Sequence, residues 1–495
     1  MSWTAVMGTM LLGCASPSSE TQPPFATDSG AGASITDSGD GHGDSGSSDT
    51  GSPEVPLIQD ALDCGRRAQT GSIPEGAGSS ALEAVRVDTV RFPDALCNDG
   101  STPAFYVRPA ETAAGRDRWV IQLLGGGGCG SAEACAKRWC NVGTNFSMTQ
   151  MSSSGAPDAT NGVGIFARPS EVGVPEPQPF ADANQVLVKY CSSDIWRGTV
   201  RDSVQETAHP VSGEPVQFRM HFLGRRIVEA VVTTLRQDGV APIEHVGSGA
   251  TLADLDDAAQ VVLAGASAGG GGTTYTLDWL SDHLRGFQPD VEVIGLVDST
   301  FGPTGEGLDF SMSTYCLERG ICDLASFLGQ GEQVQQELWG AQGDESCSAH
   351  HAETGDTWWC ASDTHVLLHH TRAPVFIRQG LNDSVISDTF TETGLRWEGE
   401  PVDLADFGSL VQSQFDTLRS GSDAREESDI RTVSAGYAPL CPKHETLRST
   451  ADTFMVEVAV SDTARVSMFE QWERWRSGAT PSVVYARSPE DSTCP

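Results

Sequence analysis

Ser267 stands between two glycines in Gly265-Ala266-Ser267-Ala268-Gly269, directly after the apolar run Val261 to Ala264 and shortly before a helix-like stretch, Thr273 to Leu280. A short apolar run of this kind reads as a buried strand, so the segment predicts strand, tight turn and helix. On such a turn the serine Oγ is held clear of the backbone, and small flanking residues let the chain bend. The chemistry open to it is nucleophilic attack on a carbonyl. A neutral hydroxyl attacks slowly, so a base, and a group that orients the base, must lie further along the chain. A bland glycine-rich strand-to-helix loop is the competing reading of these five residues.

Both missing groups follow, acid and then histidine, the order that goes with a serine on such a strand-to-helix turn. Pro374 to Arg378 reads as a short buried strand and runs into Gln379-Gly380-Leu381-Asn382-Asp383. His444 lies in SAGYAPLCPKHE, on a loop ahead of a helical stretch. His444 would take the Ser267 proton and return it to the leaving group, while Asp383 would fix the imidazole tautomer. A second acid, Asp298, ends the strand Val291 to Val297, where an Asx turn is an equal reading. Four glycines, Gly125 to Gly128, close the strand Trp119 to Leu124. Unobstructed backbone N–H groups there suit an oxyanion, with Gly126, Gly127 and Ala268 as donors. A phosphate loop is the rival, but its lysine and hydroxyl are absent. The strand Gln185 to Lys189 leads into Tyr190, Ser193, Asp194 and Trp196, a polar and aromatic loop that could line a site, although Trp196 could equally pack beneath it. Neither FAD, NAD nor a metal is required by this chemistry.

The elements that must position these groups alternate between strands and helices, which predicts an α/β fold with a mostly parallel central sheet flanked by helices. Ala81 to Phe92 and Ser101 to Arg108 read as early strands. Residues 223–237 and 402–420 read as amphipathic helices, and Ala464 to Trp475 as the last helix. The polar stretch 142–180 is expected to contribute to a cap over the site. Residues 311–360 carry Cys316, Cys322, Cys347 and Cys360 and predict a disulfide-fastened helical insertion. His350 and His351 within it have no further ligand at a metal-binding spacing and read as surface residues.

At 495 residues the chain has room for one large catalytic domain, expected over 61–495. A net charge of −36 disfavours nucleic acid and anionic membranes. Of 13 cysteines, twelve remain once Cys14 is set aside, enough for six disulfides and an exported protein. Buried free thiols are the alternative; no compact tetrad suggests zinc. Residues 15–60 are rich in Ser, Gly and Asp and read as a disordered acidic linker. The first fourteen residues end in Leu11-Leu12-Gly13-Cys14, which looks like a bacterial lipobox with Cys14 lipidated, though no Lys or Arg precedes the apolar stretch. An extracytoplasmic monomer, attached to a membrane only through such a lipid, is the expected form.

Several segments taken together resemble the pectin acetylesterase family and its Notum-like carboxylesterase branch. They are the glycine-rich strand end before Cys129, Trp139-Cys140-Asn141, Tyr190-Cys191-Ser192-Ser193-Asp194-Ile195-Trp196-Arg197-Gly198, Leu263 to Gly270, Val297-Asp298-Ser299, the Trp359-Cys360 segment, Asn382-Asp383 and Ala438 to Glu445. The resemblance implies an α/β-hydrolase-like fold, Ser267, Asp383 and His444 as the triad, and hydrolysis of carboxylic esters. The strand-end loop here is GGGGC, lacking the tryptophan usual beside that cysteine. The leading expectation is an esterase removing short acyl groups, acetyl first, from an extracellular glycan such as pectin. The alternatives are a Notum-like deacylase or lipase of longer acyl chains, and a non-catalytic hydrolase-fold surface protein; an apolar content of 38% gives no sign of a lipase's broad groove.

Overall fold

The structure is a computed structural model that describes residues 55–64, 73, 75, 76, 81–169, 174, 178–239, 241–305, 308, 309, 323–341, 343–392, 394–420, 434–479 and 482–494. The lipobox-like segment, nearly all of the acidic linker, Cys316 and Cys322 lie outside the described residues. The packed chain reaches back to Val55: Ile58 is fully buried, and Pro56 O accepts from Arg219 N at 2.8 Å. The last residues assigned to the linker therefore already pack against the domain.

The centre is a ten-stranded sheet. In chain order its strands are β1 (Leu82–Arg86), β2 (Ala104–Arg108), β3 (Arg118–Leu123), β4 (Ala159–Thr160) and β5 (Asn184–Val188). A separate hairpin, β6 (Val200–Ala208) with β7 (Pro215–Phe222), intervenes. The sheet continues with β8 (Gln260–Ala266), β9 (Glu292–Asp298), β10 (Val375–Arg378), β11 (Ala435–Ala438) and β12 (Val483–Tyr485). Spatially they run β12-β11-β10-β9-β8-β3-β5-β2-β1-β4. The seven from β12 to β5 are parallel, and β2, β1 and β4 are added antiparallel at one edge.

Parallel strands covered on both faces read as near-continuous apolar runs, and β10 (VFIR) and β11 (AGYA) are buried at every position, the one charge, Arg378, being paired with Asp298. The hairpin β6–β7 stands outside the sheet, and β6 alternates between exposed and half-buried residues. The helix α1 (Ala268–Arg285) follows β8 and packs on β3, β8 and β9. This is the α/β-hydrolase-like arrangement expected. The expected last helix is instead a short strand, Ala464–Ser467, followed by a helix, Met468–Arg476, that Ser467 caps by accepting from Glu470 N. An N-cap serine at the junction marks the change.

Cysteine pairing staples the periphery. Among the described residues the bonds are Cys64–Cys140, Cys97–Cys191, Cys129–Cys135, Cys347–Cys360 and Cys441–Cys494. Five such bonds belong to an oxidising compartment outside the cytoplasm. Among the described residues no helix is long and apolar enough to cross a membrane.

Candidate active site

In an open parallel sheet the loops at the carboxyl ends of the strands form the crevice that binds ligands. All the residues singled out by their chemistry sit there. Sheet register sets Gly265 opposite Leu123, Ala266 opposite Asp298, Asp298 opposite Arg378 and Arg378 opposite Tyr437. One row across the sheet therefore launches every loop of the site.

Ser267 has φ 53° and ψ −125° and caps α1. Holding a non-glycine residue there costs on the order of 1–3 kcal/mol, sustained by its surroundings. Those surroundings explain the flanking glycines. A Cβ on Gly265 would lie 2.0 Å from Gly269 O, and one on Gly269 would lie 2.1 Å from Leu123 O. The glycines that follow are poor helix formers, yet a Cβ on Gly270, Gly271 or Gly272 would meet Thr300, Ile195 or Trp196 respectively at 2.6 Å. The first turns of α1 are sunk into neighbouring loops, which larger residues would push away.

Asp383 follows β10 and is fully buried. Its Oδ1 accepts from the backbone of Val385 at 3.0 Å and Ile386 at 3.2 Å, and Gln379 Nε2 donates to Oδ2 at 3.4 Å. His444 Nδ1 lies 2.9 Å from both carboxylate oxygens. A neutral imidazole giving Nδ1–H to Asp383 carries its lone pair on Nε2, and Nε2 is buried without a hydrogen-bond partner. Burial pulls the His444 pKa down, but the hydrogen bond and charge of Asp383, with Glu445 and Asp298, outweigh it and the net shift is upward. Burial pushes the Asp383 carboxyl up, and the bond to His444 and its charge, with Ile386 N and Arg378, bring it below its usual range.

Asp298, the other candidate acid, is fully buried and makes no hydrogen bond to His444 among those resolved. It accepts from Thr446 N at 2.6 Å, Thr446 Oγ1 at 3.0 Å, Leu447 N at 3.3 Å and Ser299 Oγ at 2.9 Å, and pairs with Arg378 at 3.1 Å. Ser299 Oγ in turn accepts from Glu445 N at 3.1 Å. Asp298 and Ser299 thus anchor the loop that carries His444.

Ser267, Ala268, Gly127 and His444 line one cavity of about 160 Å³. Gly127 has φ 59° and Gly126 φ 141°, conformations that glycine adopts without strain. A Cβ on Gly127 would press on Phe146 at 2.8 Å. Gly126 does not line the cavity; its carbonyl accepts from Arg138 Nη2 at 2.6 Å, which fixes the glycine loop from behind.

The loop after β5 contributes differently from expectation. Ile195 and Arg197 line the cavity, whereas Tyr190, Ser193, Asp194 and Trp196 do not. Asp194 is fully buried and accepts from Ser192 Oγ at 2.6 Å, Gly224 N at 2.7 Å and Trp196 N at 3.0 Å. Burial raises its carboxyl pKa to about 6 despite these donors. Trp196 Nε1 donates to Leu124 O at 3.0 Å, and Tyr190 Oη accepts from Ile195 N at 2.8 Å. These four shape the loop from beneath, with Ser193, Ile195 and Trp196 at positive φ.

The remaining walls come from places the sequence did not mark. Phe327, Leu328 and Gln335 come from the helix Leu324–Glu337 within the expected insertion, Ala361 to Thr364 from just beyond its end, and Ile386 and Phe390 from the helix after Asp383. No described residue of 142–180 lines the cavity, although Phe146 faces Gly127. Trp339 meets the GGGGC loop from the insertion: its Nε1 donates to Cys129 O at 2.9 Å and its ring packs against Gly128.

The pectinacetylesterase family model matches residues 78–495. The chain belongs to this family. The family's name is that of an ester hydrolase. Among similar proteins, the palmitoleoyl-protein carboxylesterase notum2 of Xenopus laevis is 29% identical over 351 residues, covering 70% of this chain and 59% of its own length. NOTUM of Homo sapiens is 27% identical over 396 residues, covering 79% and 66%. The chain thus spans about three fifths to two thirds of the length of these relatives. A solved structure of the Wnt deacylase Notum from Drosophila superimposes with a TM-score of 0.57 at 22% identity, covering 83% of this chain and 97% of that one, a likeness of fold.

Proposed function

We propose that the chain is a serine carboxylesterase with Ser267 as nucleophile, His444 as general base and Asp383 as its orienting acid. The observation that carries this reading is the Asp383–His444 hydrogen bond beside a cavity that also holds Ser267 on a positive-φ turn. His444 Nε2 takes the Ser267 proton as Oγ attacks the ester carbonyl. The resulting oxyanion is met by N–H groups of Gly127 and Ala268; Gly126, which does not line the cavity, shapes the loop that presents Gly127. The tetrahedral species collapses, the alcohol leaves with the proton from His444, and water repeats the sequence to free the acid. Each oxyanion donor is worth about 3 kcal/mol in reactions of this type.

Because His444 must be neutral to act, kcat/KM rises with pH through its ionisation. The upward shift predicts an acid limb above the ordinary 6.5. A profile measured with an uncharged ester checks this; a limb at or below 6.5 would contradict it.

The acyl group is where the first expectation gives way. Ile195, Phe327, Leu328, Ile386 and Phe390 make the cavity wall apolar, and the similar proteins named above are palmitoleoyl-protein carboxylesterases. This favours acyl chains longer than acetyl. A cavity near 150 Å³ is enough to hold benzene, so about six carbons fit inside. Four methylenes beyond acetyl, at about 0.8 kcal/mol each, correspond to roughly 200-fold in kcat/KM. A series of p-nitrophenyl esters from acetate to palmitate tests it: hexanoate is expected to exceed acetate by about that factor, and acetate as the best substrate would return the reading to short-chain deacetylation. Export with lipidation at Cys14 remains part of the proposal, resting on the lipobox-like sequence.

A further inference from the structure

His350 and His351 do not form an isolated surface pair, because the fold brings three more imidazoles to them. His351, on the helix Glu345–Thr354, is buried, and His365 comes from the helix Asp363–His369, which also carries His369 and is followed by His370. The ring centroids of His351, His365 and His370 form a near-equilateral triangle, 5.0, 5.2 and 5.5 Å on a side. His351 Nε2 and His365 Nε2 are 2.9 Å apart. His351 Nδ1 lies 2.9 Å from Asp356 Oδ1. Trp359 stacks on His365 with centroids 4.8 Å apart.

A buried histidine held for packing alone would be satisfied by a carbonyl or hydroxyl. Here the nitrogens turn toward one another. With Nδ1–H given to Asp356, His351 presents a lone pair on Nε2, aimed at a second ring nitrogen. A carboxylate behind one nitrogen and convergent nitrogens in front is the outer-shell arrangement that orients imidazole ligands on a metal. One donor atom from each of His351, His365, His370 and Cys347 lies within 4.8 Å of every other. Cys347 is bonded to Cys360, so its sulfur is no thiolate, and the donor set is three imidazoles.

We infer that His351, His365 and His370 form a binding site for a divalent transition metal, Zn²⁺ in particular, oriented by Asp356. Three nitrogen ligands with one open position suit tetrahedral zinc, and the lack of a carboxylate among the donors disfavours Mg²⁺ and Ca²⁺. Zn–N bonds of about 2.0–2.1 Å ask the two facing nitrogens to separate only slightly from their present contact. The site lies outside the proposed ester-hydrolysing machinery. It nonetheless adjoins the cavity wall, since Ala361 to Thr364 line the cavity immediately before His365. A bound ion would tie the helix of His351 to that of His365, alongside the Cys347–Cys360 bond. It would brace the wall without touching the ester.

The test uses the purified full chain, free of any histidine tag and stripped with chelator, titrated with ZnCl₂ and separately with CoCl₂. One equivalent of Zn²⁺ per chain, a Tm that rises with its concentration, and the visible absorption of four-coordinate Co²⁺ are expected. The double variant His351→Asn/His365→Asn is expected to lose uptake. Asp356→Asn, at a half-buried position that holds no metal itself, is expected to keep one equivalent with affinity lower by about 10–100-fold. Substoichiometric binding by the parent chain, or uptake undiminished in the folded double variant, would overturn the inference. Should the double variant fail to fold, unchanged affinity in Asp356→Asn would do the same.

Discussion

Ser267→Ala is expected to lower kcat by on the order of 10⁶-fold while leaving the protein folded, since members of such a catalytic unit act together and removing the nucleophile forfeits the whole covalent route. The turn that holds Ser267 is built by its neighbours. Gly265 and Gly269 clear the space, Gly271 N donates to Ser267 O at 3.0 Å, and Ser267 N donates to Asp298 O at 3.0 Å. None of these contacts involves the hydroxyl. Turnover with a p-nitrophenyl ester and Tm, measured together, check it: a large loss of rate with Tm nearly unchanged supports the assignment, and retained turnover would refute it.

The second large effect separates the two buried carboxylates. Asp383→Ala is expected to reduce kcat by about 10⁴-fold, because His444 loses the partner that sets its tautomer. Stability falls by about 1–3 kcal/mol, because His444 Nδ1, Val385 N and Ile386 N lose a buried acceptor, but no charge is left unpaired beside a neutral imidazole. Asp298→Ala works the other way. It leaves Arg378 buried and uncompensated and strips the acceptor from Thr446 and Leu447, a loss of about 3–5 kcal/mol. Its kinetic defect follows from the looser His444 loop. Denaturation curves and kcat for both variants check the distinction. If Asp298→Ala proved stable yet inactive and Asp383→Ala stayed active, the assignment of acid and anchor would be reversed.

How far the sequence carries is clear from particular residues. The elbow was legible because Gly265 and Gly269 answer to backbone clashes within a few residues. Asp383 and His444 were legible because strand-to-loop transitions in an α/β chain place such residues along one sheet edge. Chain order and resemblance favour Asp383 over Asp298, but local pattern does not separate them, since each ends or follows a buried strand; what does is which one meets the imidazole nitrogen across the fold. β11 and β12 escaped notice because AGYA and VVY are too short to show a period. The cavity wall escaped for a different reason. Phe327, Gln335, Ile386 and Phe390 belong to helices whose apolar faces look like any others, and only tertiary packing turns them toward Ser267. Trp339 against Cys129 and His351 against His365 are likewise contacts between elements that no local spacing announces.

The central claim is that Ser267 is a nucleophile activated by His444. Exposure of the folded chain to a fluorophosphonate, followed by intact mass and peptide mapping, tests it most directly. The account predicts one phosphonate per chain, on the peptide carrying Ser267, absent in Ser267→Ala and much slower to form in His444→Ala. A folded chain that takes up no label, or takes it at another serine, would contradict it.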